Sequence, residues 1–139
     1  MDEVVLDTDI LSEVLKRRNA NVAVRARGYL QQHSAFTISA LTVMELVKGY
    51  EKAGRGDELL LVLIFLRTQR ILPFDTETAE LAGRIHGRLQ SAGEPLGRVD
   101  PMIAATAILR GLPLVTGNSS HYWRVQALGY ALTLQDWRD

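Results

Sequence analysis

Val4-Val5-Leu6-Asp7-Thr8-Asp9-Ile10-Leu11-Ser12 is the stretch from which the fold is read. Three apolar residues give way to a polar triplet, after which Ile10, Leu11, Val14 and Leu15 recur at helical spacing. Strand, polar turn and helix in that order open a βα unit. The residues just beyond the strand then stand at the carboxyl edge of a sheet, where ligands of open α/β sheets bind.

Outward from that stretch the unit repeats. A helix over 22–32 precedes a strand at 35–38, rich in β-branched and aromatic residues. Ser39 is placed to N-cap a helix over 41–52, on which Val43, Leu46, Val47 and Tyr50 fall near one another. The break Ala53-Gly54-Arg55-Gly56 separates it from a helix over 57–68, and 70–74 reads as a third strand. Helices over 77–92 and 101–110 are ended by the 93–97 loop and by Gly111; a strand over 112–116, a short helix over 122–128 and a strand over 130–134 complete the pass. Parallel strands need crossover connections, and here the connections are helices. The prediction is one domain over 1–139, a three-layer α/β/α sandwich with a mainly parallel central sheet.

Composition narrows the function. A chain of 139 residues suits one core, and 47% hydrophobic with 23% charged residues is the make-up of a folded globule. Cysteine is absent, which rules out disulfides and thiolate metal sites, and His33, His86 and His121 have no close ligand spacing, which argues against zinc. The longest apolar run, 59–66, is too short to span a bilayer, and the start Met1-Asp2-Glu3 is unlike a signal peptide, so a cytoplasmic protein is expected. Net charge is zero, so any nucleic-acid binding must be local. Lys16-Arg17-Arg18 with Arg25 and Arg27, and Arg84 with Arg88 and Arg98, are basic clusters that on charge alone read as solvated helix faces. Neither a P-loop nor a Gly-x-Gly-x-x-Gly turn occurs.

Several polar positions could carry chemistry. Asp7 ends a strand and reads equally as a helix cap or as a ligand at the sheet edge, whereas Asp9 reads as the cap. Glu45 lies three residues after Thr42, as in a capping box, but a helix start near Ser39 puts it in the second turn among apolar neighbours, where a carboxylate calls for a cation. Asp100 before Pro101 has the form of an N-cap with proline at the first helical position, which leaves lone pairs free for a metal. Thr116 and Asn118 follow a later strand and read as a turn or as a second rim of the same site. His121, beside Tyr122 and Trp123, reads as an ordinary partly buried ring. If the acids meet in one cleft they repel one another unless a cation lies between them, and hard oxygen donors without cysteine or clustered histidine favour Mg²⁺ or Mn²⁺.

Four blocks then form a pattern: Val5-Leu6-Asp7-Thr8-Asp9-Ile10-Leu11-Ser12, Ile38-Ser39-Ala40-Leu41-Thr42-Val43-Met44-Glu45-Leu46, Asp100-Pro101-Met102-Ile103-Ala104-Ala105-Thr106-Ala107 and Leu114-Val115-Thr116-Gly117-Asn118. In content and order this resembles the PIN-domain family, specifically VapC-like toxins of bacterial toxin–antitoxin pairs. The resemblance implies an endoribonuclease with Mg²⁺ or Mn²⁺ held by Asp7, Glu45 and Asp100, with Thr8 and Ser39 supporting them and Thr116 and Asn118 in the last block. It implies an RNA substrate, a homodimer and a VapB-like antitoxin covering the cleft, for which the apolar run 59–66 supplies surface unless that helix is buried. Many relatives carry aspartate where this chain has Asn118, and often asparagine where it has Asp9. The metal near Asn118 is therefore expected to bind more weakly, with Asp9 restoring part of the charge. A catalytically silent PIN-like RNA- or protein-binding module is the rival reading, against which Asp7, Glu45 and Asp100 stand intact. A receiver-type domain would need a lysine after a late strand, which is missing.

Overall fold

Strands and helices alternate along the chain in the computed structural model, which describes residues 2–139. The strands are β1 (Val5–Leu6), β2 (Thr37–Ser39), β3 (Arg70–Leu72), β4 (Leu114–Val115) and β5 (Leu134–Gln135). The helices are α1 (Thr8–Lys16), α2 (Ala20–His33), α3 (Ala40–Lys52), α4 (Gly56–Leu66), α5 (Thr76–Ser91), α6 (Val99–Arg110) and α7 (Ser119–Ala127). The sheet runs β3-β2-β1-β4-β5 with every pairing parallel, so β1 is central.

Side chains alternate across a strand, and β1 divides the core accordingly. Val4 and Leu6 pack with Ile10, Leu11, Tyr29, Phe36, Leu46, Leu66 and Trp137, so α1 to α4 cover one face. Val5 packs with Ile85, Leu89, Ile103, Ala104, Ala107, Tyr122 and Val125, so α5 to α7 cover the other. This is the predicted three-layer sandwich.

Several boundaries differ from expectation, each for a local reason. Helix α1 begins at Thr8 with Asp7, not Asp9, as its N-cap: Asp7 Oδ1 accepts the Thr8 amide at 2.8 Å. Helix α6 begins at Val99, ahead of the Asp-Pro pair, which puts Asp100 in the first turn and not at the cap. A carboxylate there still faces the positive end of the helix. The third strand stops at Leu72, before Pro73, which has no amide to donate to a ladder. The last strand is 134–135, not 130–134, because Leu134 is the residue in register with Leu114. Ser39 does cap α3, accepting the Leu41 amide at 3.1 Å.

Candidate active site

Register brings the site together. Leu6 is paired with Ile38 on one side and Val115 on the other, so the next residues along, Asp7, Ser39 and Thr116, form a row at the carboxyl edge. All three are buried. The helices that follow these strands begin at that edge, and α6, which leads into β4, begins there too. Their positive ends point toward the site, which suits carboxylates and phosphates.

Asp7 sits at the middle, 4% exposed. Its Oδ2 accepts the Thr116 hydroxyl at 2.8 Å, a contact that spans 109 positions in sequence. Burial, then the negative charges of Asp9 and Asp100, push its pKa up from 3.8 to about 7, against the pull of the Thr116 and Thr8 hydrogen bonds. Thr116 Oγ1 in turn accepts the Asn118 amide at 3.0 Å, which shapes the loop beyond β4.

The other acids are each held by a partner. Thr8 donates its hydroxyl to Glu45 Oε1 at 2.5 Å, and Thr42 lies 3.0 Å from the same hydroxyl. Because a threonine has one proton to give, Thr42 is the donor in that second contact. Glu45 is therefore oriented by α1, and no capping box with Thr42 forms. Asp100 Oδ1 accepts the phenol of Tyr122 at 3.3 Å. Burial and the charges of Asp7 and Asp100 raise the Tyr122 pKa well above its usual value, so the phenol stays protonated and acts as a donor.

Asp9 differs from these. Its Oδ1 accepts the Ile10 amide and its Oδ2 the Gly117 amide, both at 2.8 Å. Arg138 donates to Gly117 O at 2.8 Å and to Asp136, and its charge lies close to Asp9. A Cβ on Gly117 would stand 2.5 Å from Arg138 Cζ and 2.7 Å from Asp9 Oδ2, so a larger residue would displace the Arg138 guanidinium and crowd the Asp9 carboxylate. Asp9 thus ties the loop after β4 to α1, and both of its oxygens are engaged by backbone.

Asp7, Asp9, Glu45, Asp100, Thr8 and Asn118 all line one cavity of about 420 Å³. Ser39 lies in the row beneath, capping the start of α3, and is not part of the cavity wall. His121 is exposed and is not part of the cavity wall. The residues that sequence reasoning missed are Tyr122, Thr42 and Arg138. Their contacts join positions far apart in the chain and leave no local pattern.

As the side chains stand, no three acidic or imidazole groups among the described residues gather tightly enough to enclose an ion. The acids face a shared cavity instead, which suits Mg²⁺, an ion that keeps several waters and binds through one or two carboxylates. A buried carboxyl whose proton affinity is raised by neighbouring acids is one whose charge a cation would stabilise. The residues fit the group.

Known proteins share this fold. The chain belongs to the PIN-domain family, whose description matches residues 4–124. Within that family it is VapC-like: it is 36% identical to the tRNA(fMet)-specific endonuclease VapC of Shigella flexneri, with 99% of each chain covered. It is 34% identical to ribonuclease VapC2 of Haemophilus influenzae over 92% of this chain and 96% of that protein. Among solved structures, the DNA-bound VapBC complex of Salmonella typhimurium superposes with a TM-score of 0.82 at 31% identity, covering 99% of each chain.

Proposed function

We propose that this protein is the toxin of a toxin–antitoxin pair, a metal-dependent endoribonuclease that hydrolyses RNA phosphodiesters with Mg²⁺ or Mn²⁺ held by Asp7, Asp100 and Glu45. The observation that carries this reading is the meeting of Asp7, Glu45, Asp100 and Asn118 on one cavity at the carboxyl edge of the sheet, in a VapC-like chain. When bound, the ion would supply positive charge that activates water and offsets charge on the phosphate.

The chain's own groups do the rest. Thr8 and Thr116 fix the carboxylates of Glu45 and Asp7, and Tyr122 holds Asp100. Glu45 Oε1 is taken by Thr8, which leaves Oε2 as the oxygen that would hold the ion. Asn118, exposed at the rim, can donate its amide to a phosphate oxygen without adding negative charge. The converging helix N-termini favour the anionic substrate.

The partners are RNA, a VapB-like antitoxin and a second copy of the chain. Helix α4 offers surface for such contacts: Leu59, Val62 and Leu66 are buried, while Leu60, Leu61 and Ile64 are 63%, 70% and 62% exposed. It is packed by one face and apolar on the other, so each alternative raised for the 59–66 run holds for half of it. No helix among the described residues is long and apolar enough to cross a membrane.

The test is cleavage of a mixed pool of structured RNAs by the purified protein in Mg²⁺, in Mn²⁺ and in chelator, beside an Asp7→Ala control. The specificity of the Shigella relative makes tRNA(fMet) the first single substrate to add. Metal-dependent cutting that the control abolishes is expected. No cutting by folded protein free of antitoxin would overturn the reading in favour of a silent binding module.

A further inference from the structure

The cavity continues past the acids along two helices. Helix α1 presents Thr8, Ser12 and Lys16 at four-residue spacing, on one face, and α3 presents Glu45 and Gly49 in the same way; all five line the cavity. Lys16 stands about 12 Å along α1 from Thr8, at 1.5 Å per residue. It is exposed and has no hydrogen bond or ion pair among the described residues. Arg55 is different: it is paired with Glu58 and lies 5.2 Å from the Tyr50 ring centre, so its charge is partly spent and the ring is fixed at the far end of the cavity.

Gly49 lies between these ends. A glycine inside a helix weakens it relative to alanine, and a Cβ at this position would meet nothing within 4 Å. Packing does not require the glycine. What its missing side chain leaves is open floor in the cavity, a single helical turn beyond Glu45.

We propose that this extension is a subsite for the nucleotide adjoining the cleaved bond. Lys16 takes its phosphate, the bare backbone at Gly49 admits its ribose and base, and Tyr50 closes the end. Such a slot takes unpaired RNA, since a duplexed base could not enter. The proposal rests on the ribonuclease reading above and assigns that reading's cleft a direction.

The probe is a fluorescein-labelled RNA hairpin with an unpaired loop, bound to Asp7→Asn protein and followed by anisotropy over a salt series; cleavage is measured in the Asp7 parent. Lys16→Ala is expected to lower the slope of log affinity against log salt by about 0.7, the value for one single-strand phosphate contact. Arg84→Ala removes equal charge from α5, outside this cavity, and is expected to leave the slope as it was. Gly49→Ala is expected to raise the melting temperature while weakening RNA binding about fivefold, with the loss in cleavage falling on KM and not on kcat. A role in the helix alone would move only the melting temperature. If the parent cleaves RNA but Lys16→Ala keeps its slope and Gly49→Ala its affinity, the subsite is overturned and the ribonuclease stands. If the parent neither cleaves nor binds the RNA, both fall.

Discussion

Replacing Asp7 with asparagine should abolish cleavage and yet stabilise the metal-free protein. The folded carboxyl has its pKa lifted from 3.8 to about 7, chiefly by burial and by Asp9. The folded chain therefore holds this proton more tightly than the unfolded one. The contribution to stability is complete below about pH 4 and is lost as pH rises through 7. At roughly 1.4 kcal/mol per pH unit the loss is a little over 4 kcal/mol. Asparagine carries no charge to desolvate, and its Oδ1 can keep the Thr8 cap, but the Thr116 hydroxyl loses its acceptor. Such a loss costs about 1–3 kcal/mol, so the net gain is about 1–3 kcal/mol. For a chain this size that is a rise of roughly 3–10 °C in melting temperature. Thermal melts in chelator near pH 8 read it directly. The gap should narrow near pH 5, and saturating Mn²⁺ should close it by raising the parent alone. A variant that melts at or below the parent in chelator at pH 8 would refute the argument that the buried charge of Asp7 burdens the fold.

Three further outcomes follow from the same contacts. Thr116→Val removes a donor that lowers the Asp7 pKa, so the acidic limb of the pH–rate profile should move to higher pH; an unmoved limb would separate Asp7 from that limb. Gly117→Ala forces a Cβ onto Arg138 and Asp9 and should lower both melting temperature and kcat, whereas Ala at the open Gly28 should not; equal behaviour of the two would refute the tight fit. Asn118→Asp adds a negative charge at the rim and should tighten Mn²⁺ binding by about tenfold in calorimetry, with no gain expected if the Asn118 side chain stays clear of the ion.

The acid at the first strand was legible because three apolar residues before a polar triplet have few other readings. The layers were legible too, since strand and helix alternate with short connections. The caps were not. Asp7, Asp9 and Asp100 are all competent N-caps by type, and which residue starts a helix depends on where the preceding strand or loop releases the chain. At Asp100 the helix starts ahead of the proline pair, which no spacing rule would select. The roles of Tyr122 and Arg138 were hidden for another reason. A phenol reaching Asp100 across 22 positions and a guanidinium reaching Gly117 across 21 are consequences of sheet order, and sheet order is a property of the whole chain.

That order also has a temporal side. The central strand is made well before β4, since Asp7 meets its partner Thr116 across 109 positions of the chain. Until β4 docks, β1 has only β2 beside it and Asp7 lacks both Thr116 and Tyr122. Contacts this distant form late and only after the loop between them has closed. A nascent copy that has not yet made β4 thus carries Asp7, Glu45 and Asp100 without the finished cleft.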